Sequence, residues 1–490
     1  MLSAQTVAEH ASQDNCWIII HGQVYDITSF IPEHPGGSKI ILKYAGKDAT
    51  EAYEPIHPPN TIKDNLTPDK HLGPVDPSTV TKVVKVLSEA EKQRQVLLEN
   101  RPPLDEILNL HDFEAVAKVV LPPTAWAYYS SASDDEITIR ENRAAFQRVW
   151  FRPRILVNVS TIDYSSTILG QRSSLPVYIS ATALGKLGHP DGELNLTRAA
   201  GKHGVIQMIP TLASCSFDEI VDAAQPNQPL FLQLYVNRDR EITKTIRVKA
   251  LFITVDAPQL GRREKDMRMK FVGSDGTAKV QDGMSGVKKD EGVARAISSF
   301  IDPSLCWDDI PWFQTITNMA IILKGVSTPE DAILALESGC QGIVLSNHGG
   351  RQLDTSRSGL ENLIDIVAAL KTRGPWPNPK FSVFVDGGVR RGSDVLKALA
   401  LGATAVGVGR GFLYAFCSYG EAGVEKAFKI LGDELEMNMR LLGARNLKEI
   451  KPEMVDASGL RSHAGLTPTD NLYQSTYQPL RLAEFKGSKM

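Results

Sequence analysis

The sequence predicts two domains, a small α+β domain followed by a parallel (β/α)8 barrel of the TIM type. Two observations predict the barrel: eight short apolar runs alternate with helical stretches, and a polar side chain closes nearly every run. A charged segment bounded by prolines separates the domains. The predicted divisions are the first domain at 1–72, a linker with a short helix at 73–106, the barrel at 107–455 and a tail at 456–490.

The composition is that of a globular protein and argues against several classes of function. Of the 490 residues, 42% are hydrophobic and 23% are charged, which does not favour disorder. The net charge of -3 gives no global field that would favour nucleic acid. No apolar run approaches the ~18 residues of a membrane span. The five cysteines are scattered without a CxxC pair, which favours reduced thiols over a zinc site or a disulfide framework.

The first domain contains a predicted hairpin and two histidines with informative neighbours. The stretch WIIIHGQVYDI places two short strands around a His21-Gly22 turn. His34 opens an HPGG turn, and His57 follows 23 residues later, after an amphipathic stretch. Two neutral imidazoles can hold a haem iron from both faces, and such a site transfers electrons because it leaves no open position for oxygen.

These residues resemble cytochrome b5, in which the HPGG histidine and a second histidine at about this distance are the axial haem ligands. The resemblance implies that His34 and His57 bind the iron of haem b. The alternative is an ordinary turn histidine and a surface histidine. The flanking WIII, VYDIT and KDAT segments favour the haem site.

The second domain carries the apolar runs that predict the barrel strands. Each run is apolar throughout and is therefore expected to be buried on both faces, as in a parallel sheet. An open doubly wound sheet is the rival, but LPVYISATALGKLG after the first run is no Gly-rich nucleotide fingerprint. Residues 270–292 are predicted to form a mobile surface loop. The runs are 175–181, 205–210, 229–236, 250–257, 320–326, 342–348, 382–388 and 405–410.

The C-terminal ends of barrel strands form the active-site face of this fold, and the polar side chains of the sequence cluster there. They are Thr182, Gln233, Tyr235, Asp256, Lys324, His348, Asp386 and Arg410. The most specific segment is SNHGGRQLD at 346–354, in which His348 can act as a base and Arg351 can pair with a carboxylate. Gly349 and Gly350 let the chain turn so that both side chains face one small ligand. Oxidation of a 2-hydroxy acid needs these groups.

The SNHGGRQLD segment resembles the signature of the FMN-dependent L-2-hydroxy-acid dehydrogenases and oxidases. With a haem domain in front, the chain is similar to the haem-fused, cytochrome-linked L-lactate dehydrogenases of this family, over roughly residues 5–485. The resemblance implies FMN and haem b as cofactors, L-lactate as substrate and cytochrome c as electron acceptor. The alternatives are a dehydrogenase or oxidase of glycolate or mandelate, a haem carrier or sensor with an inactive barrel, and an FMN-dependent isomerase.

The resemblance also implies a role for individual residues. His348 is the base, Asp256 its partner, and Lys324 the cation that stabilises reduced flavin. The substrate contacts are Tyr128, Tyr235, Arg263 and Arg351. The cofactor contacts are Thr182, Ala183, Gln233, Thr254, Lys324, Ser346, Asp386, Gly388, Arg390, Gly409 and Arg410, with the flavin phosphate at the last two strand ends.

One position departs from the family pattern. Pro210 stands where the family usually carries a serine that contacts the flavin, and proline has neither a hydroxyl nor an N–H group. The flavin potential is therefore expected to differ from that of the family. Leu212 and Ala183 match positions that shape the side-chain pocket and favour a small substrate such as lactate. The resemblance further implies a homotetramer in the mitochondrial intermembrane space, although no presequence is visible and the cytoplasm is the alternative.

Overall fold

The computed structural model describes residues 1–34, 38–54, 57, 61–80, 89–236, 248–269 and 301–462. Residues 35–37 of the HPGG turn and the loop predicted at 270–292 lie outside these residues, as does most of the predicted tail. Within the described part of the chain, no helix is long and apolar enough to cross a membrane.

The first domain is built on a four-stranded antiparallel sheet in the order β1-β2-β3-β4. Strands β2 and β3 form the predicted hairpin, and both residues of its turn have positive φ, 51° at His21 and 70° at Gly22. Because β4 pairs with β3, the sheet includes residues 73 and 74, which the sequence analysis placed in the linker. The elements are α1 Ala4–Ala8, β1 Ala11–Ser12, β2 Asn15–Ile20, β3 Gln23–Asp26, α2 Ser38–Lys43, α3 Thr50–Tyr53, α4 Thr61–Asn65 and β4 His71–Pro74.

A linker helix and three further helices precede the barrel. The last of these, α8, lies against the loop that follows the sixth barrel strand, because Asp354 accepts hydrogen bonds from the backbone N–H groups of Ile137 and Thr138. The elements are α5 Glu89–Glu99, α6 Leu110–Val120, α7 Pro123–Ser130, α8 Ile137–Gln147, β5 Trp150–Phe151, β6 Ser166–Ile168 and β7 Gln171–Ser173.

The barrel is closed by eight parallel strands, one in each of the predicted apolar runs. This confirms the predicted fold class. The strands are β8 Val177–Ile179, β9 Ile206–Ile209, β10 Leu230–Leu234, β11 Ala250–Thr254, β12 Ala320–Val326, β13 Gly342–Leu345, β14 Ser382–Asp386 and β15 Ala405–Val408. Helices between and after them are α9 Leu194–His203, α10 Phe217–Ala223, α11 Glu264–Arg268, α12 Ile310–Ile316, α13 Pro329–Glu337, α14 Gly359–Lys371, α15 Gly392–Ala400 and α16 Arg410–Leu442, the last interrupted at Tyr419 and Gly420.

The interior of the barrel is filled with large side chains. Tyr178, Phe231, Phe252 and Phe384 are fully buried there, and Ile168 from the β6–β7 hairpin packs against the same cluster. Such a core is packed with side chains, and the active sites of this fold lie at the C-terminal ends of the strands. A short final strand, β16 Val455–Asp456, pairs with β5.

Candidate active site and haem site

A deep cleft opens at the C-terminal ends of the barrel strands, with about 1140 Å³ of space including its mouth. Three of the predicted residues, Asp256, Thr254 and Ser346, are not part of its lining, but each is hydrogen-bonded to a residue that is. The structure therefore brings all the predicted barrel residues together. The predicted residues that line the cleft are Tyr128, Thr182, Ala183, Gln233, Tyr235, Arg263, Lys324, His348, Arg351, Asp386, Gly388, Arg390, Gly409 and Arg410.

The imidazole of His348 is held from both nitrogens. Its Nδ1 lies 3.1 Å from Oδ1 of Asp256, and its Nε2 lies 3.0 Å from the Tyr235 hydroxyl at the cleft. His348 has φ of 59°, and the two glycines that follow are also left-handed. A side chain at Gly350 would meet the backbone of Ile139 at 2.9 Å or less, so glycine is required where this turn approaches α8. The turn aims His348 at the cleft as predicted.

The charges around this pair favour a neutral base beside an ionised carboxylate. Burial, together with the Lys324 and Arg351 cations, lowers the pKa of His348, although Asp256 opposes the shift. Burial of Asp256 disfavours its charged form, but His348 and Lys324 outweigh this and lower the pKa of the carboxyl. At neutral pH His348 can therefore accept a proton, and Asp256 can stabilise the imidazolium that results.

Two arginines, Arg351 and Arg263, converge at the cleft beside the His348–Asp256 pair. The guanidinium carbons of Arg351 and Arg263 lie 4.9 and 5.5 Å from the ring centre of Tyr128. Arg263 is only 4% exposed, and its Nε and Nη2 have no hydrogen-bond partner among the described residues. Burial and the charge of Arg263 lower the pKa of Arg351 to about 9. A bound carboxylate would relieve both the charge repulsion and the missing hydrogen bonds.

A buried layer of polar groups fits the flavin that the resemblance implies. Lys324 donates to Oγ of Ser346 at 3.0 Å and lies 3.7 Å from Oδ2 of Asp386. Gln233 donates to Thr254 at 2.9 Å. The other carboxylate oxygen of Asp386 is buried and has no partner among the described residues, so it can accept a bond from a hydroxyl of the flavin side chain. The cation of Lys324 is suited to stabilise negative charge on a reduced flavin ring.

The last two strand ends fit the phosphate. The long helix α16 begins at Arg410, directly after Gly409, so that its N-terminal N–H groups lie at the cleft. The guanidinium of Arg410 donates to the carbonyls of Tyr129, Ser131 and Gly349, whereas that of Arg390 lies 3.4 Å from Glu114. Both predicted arginines thus line the cleft, and Arg410 also ties the turn after His348 to the end of α7.

Part of the cleft wall near His348 is apolar and forms what we call the side-chain pocket. Leu212, Tyr235, Ala257 and Ile301 form one buried cluster, with Ala183 packed against it. Pro210 also lines the cleft, where it can offer neither a hydroxyl nor an N–H group. The pocket is suited to a short aliphatic side chain.

Two residues of this site were not identified from the sequence. The Gln352 amide donates to the carbonyls of Asp256 and Gln259 and accepts from the N–H group of Gly261, so it ties the His348 loop to the Asp256 loop. Gly325 gives Asp256 its space, because a side chain there would meet Cβ of Asp256 at 2.5 Å. Gln352 directly follows Arg351, and Gly325 directly follows Lys324. The polar side chain of Gln352 and the small size of Gly325 were the only signals that the sequence offered for them.

In the first domain, the predicted ligands face each other. The ring centres of His34 and His57 are 6.0 Å apart. An iron atom between two imidazoles, with metal–nitrogen bonds of about 2 Å, separates the ring centres by about 6 Å. Nδ1 of His57 lies 3.0 Å from the carbonyl of Tyr53, which leaves Nε2 for the metal, and burial lowers the pKa of His57. The two histidines therefore fit the axial positions of a haem.

Comparison with known proteins identifies a family for each of the two domains. The sequence profile of the FMN-dependent dehydrogenases matches residues 117–457, and that of the cytochrome b5-like heme/steroid binding domain matches residues 3–76. An L-lactate dehydrogenase (cytochrome) of Wickerhamomyces anomalus is 52% identical over 99% of this chain and 85% of its own length. The glycolate oxidase of Spinacia oleracea is 43% identical over 72% of this chain and 96% of its own. The flavin-binding domain of baker's yeast flavocytochrome b2 superposes with a TM-score of 0.70 at 48% identity, covering 82% of this chain and 100% of that domain.

Proposed function

Because the chain belongs to the FMN-dependent dehydrogenase family and carries an N-terminal cytochrome b5-like domain, we propose that it oxidises L-lactate to pyruvate with FMN and haem b. The observation that carries the proposal is the pair of arginines, Arg263 and Arg351, beside the neutral His348 and its Asp256 partner. Their positive charge suits a carboxylate, and the imidazole suits removal of a proton from the adjacent carbon or hydroxyl.

The protein's own residues perform the following steps. Arg351 and Arg263 bind the carboxylate of the hydroxy acid. The Tyr235 hydroxyl, 3.0 Å from Nε2 of His348, holds the hydroxyl-bearing carbon of the substrate beside the base. L-lactate loses two electrons and two protons when it becomes pyruvate. His348 takes one of these protons, and FMN, when bound, would take up the two electrons and the other proton. Asp256 then stabilises the imidazolium. FMN, when bound, supplies a two-electron acceptor that can also release electrons singly.

His34 and His57 would hold a haem, which when bound would supply a one-electron carrier between FMN and an external acceptor, and we propose cytochrome c as that acceptor. A haem with both axial positions filled by protein exchanges electrons without binding oxygen. This separates the proposal from the oxidase alternative, in which oxygen would take the electrons. The second candidate, a dehydrogenase of another 2-hydroxy acid, differs only in the side chain of the substrate. The pocket of Ala183 and Leu212 favours the methyl group of lactate over the phenyl ring of mandelate.

A steady-state screen of L-lactate, glycolate and L-mandelate tests the proposal on the full-length protein with FMN and haem bound. Cytochrome c reduction and peroxide formation are measured in the same reactions. We expect L-lactate to give the highest kcat/KM and cytochrome c to receive the electrons. Peroxide as the main product would favour an oxidase, and preference for glycolate or mandelate would correct the substrate.

The proposal extends to assembly and location. A homotetramer is supported by the resemblance and by exposed apolar side chains, among them Ile155, Leu156 and Leu441. A backbone hydrogen bond from Arg154 to Leu442 joins the two segments that carry them. Light scattering of the purified protein should give four chains per particle, and a monomer would contradict this. The mitochondrial intermembrane space is proposed from the resemblance, and cell fractionation that recovers the protein in the cytoplasm would contradict it.

A further inference from the structure

Thr211 lies in the loop that follows β9, behind the cleft, and is not part of the cleft lining. Its neighbours on both sides, Pro210 and Leu212, do line the cleft. The side chain of Thr211 instead turns towards the end of β10, the strand that leads to Gln233 and Tyr235. The pairing of β9 with β10 ends at Ile209 and Leu232. Beyond that pair, the Thr211 side chain makes the hydrogen bonds to β10 that a continued strand would make through its backbone.

Three hydrogen bonds join Thr211 to the end of β10. Its hydroxyl donates to the carbonyl of Gln233 at 2.7 Å and accepts from the N–H group of Tyr235 at 2.8 Å. Its own N–H group donates to Oε1 of Gln233 at 3.2 Å. The last bond fixes which end of the Gln233 amide carries oxygen, and the amide nitrogen then donates to Thr254 at 2.9 Å. Gln233 and Tyr235 are buried residues, with exposed fractions of only 4% and 9%. Water therefore cannot readily replace these hydrogen bonds.

We infer that Thr211 is a positioning residue, which acts through Gln233 on the flavin and through Tyr235 on the substrate and His348. The inference rests on the proposed function. The Thr211 hydroxyl accepts from the N–H group of Tyr235 and donates to the carbonyl of Gln233. It thereby sets the distance of both residues from Pro210 and Leu212 in the cleft wall. Without the hydroxyl, both buried backbone groups lose a partner, and the end of β10 has to move to recover one. A displacement of this kind is costly for a reaction that depends on alignment.

The variants Thr211→Val and Thr211→Ser test the inference on the full-length protein. Valine keeps the shape and removes the hydroxyl, whereas serine keeps the hydroxyl and removes the methyl group. We expect T211V to lower kcat per bound FMN by about tenfold or more, with a smaller change in KM, and to weaken FMN binding several-fold, measured by flavin fluorescence. T211S should stay within about threefold of the wild type in both measurements.

Thr404→Val is the matched control. Thr404 makes a comparable bond at the other end of the barrel, where its hydroxyl accepts from the N–H group of Val383 at 3.1 Å, between β14 and β15. We expect this variant to change the melting temperature without changing kcat or FMN affinity. An equal loss in T404V, or a T211S variant as defective as T211V, would overturn the inference, because barrel stability or methyl packing would then explain the effect.

A double-mutant cycle with Tyr235→Phe separates action through Tyr235 from an independent effect. If Thr211 acts through this side chain, the losses from T211V and Y235F should not add; full additivity would remove Tyr235 from the argument and overturn it. Should T211V not fold, Thr211→Ala takes its place, and failure of both would show that Thr211 serves only the barrel. FMN affinity does not depend on the substrate, so a wrong substrate assignment would leave that result interpretable.

Discussion

Replacing His348 with glutamine tests the base directly. Glutamine reaches a similar distance and can form hydrogen bonds, but it cannot accept a proton at neutral pH. The surrounding groups offer no substitute: burial, chiefly, raises the pKa of Tyr235, and Arg351, even with its pKa lowered to about 9, remains protonated at neutral pH. Loss of a general base typically slows a reaction by about 100-fold to 10,000-fold, which corresponds to roughly 3–5 kcal/mol in the barrier.

The assay is rapid mixing of the oxidised variant with L-lactate while the flavin absorbance is followed. We expect the rate constant for flavin reduction to fall by at least about 100-fold. FMN content and the haem spectrum should be unchanged, since His348 bonds to neither predicted haem ligand and its imidazole contacts Asp256 and Tyr235. Transfer from chemically reduced flavin to haem should proceed at the wild-type rate.

A histidine elsewhere on the barrel provides the control for this experiment. His203, in the last turn of α9, does not line the cleft and lies 3.9 Å from Glu425, so His203→Gln should leave the rate of flavin reduction unchanged. Near-normal flavin reduction in His348→Gln would refute the assignment of the base. Loss of FMN from that variant would instead assign His348 to the architecture of the cleft.

Three further predictions follow from the same geometry. Arg351→Lys cannot form a bidentate pair, so kcat/KM for L-lactate should fall roughly 30–1000-fold, and a change under threefold would remove Arg351 from the substrate site. Because Asp256 raises the pKa of His348, Asp256→Asn should lower that pKa further. The acid limb of the pH profile of kcat/KM should then move to lower pH, and the plateau value of kcat/KM should fall. A limb displaced to higher pH would contradict this effect of the Asp256 charge. His34→Ala or His57→Ala should abolish the six-coordinate low-spin haem spectrum while L-lactate still reduces the flavin, and an unchanged spectrum would reject the ligand pair.

The sequence alone determined the architecture, because the signals for it are local. A strand buried on both faces is apolar along its length, so the eight barrel strands could be located without any knowledge of their contacts. The order of strands and helices then placed Lys324, His348 and Asp386 on one face of the barrel. The His21-Gly22 turn was equally local, since its two residues alone decide whether positive φ is accessible.

Only the tertiary structure decided how these side chains meet. His348 and Asp256 are 92 positions apart in the chain, and their 3.1 Å contact depends on the register of the barrel and on the space left at Gly325. The N–H groups of Arg263 that have no partner among the described residues, and the bridge of Thr211 to β10, also have no sequence signature. Hydrogen bonds between side chains on different strands need positions correct to a few tenths of an ångström, and such precision arises only when the closed barrel fixes the register of its strands.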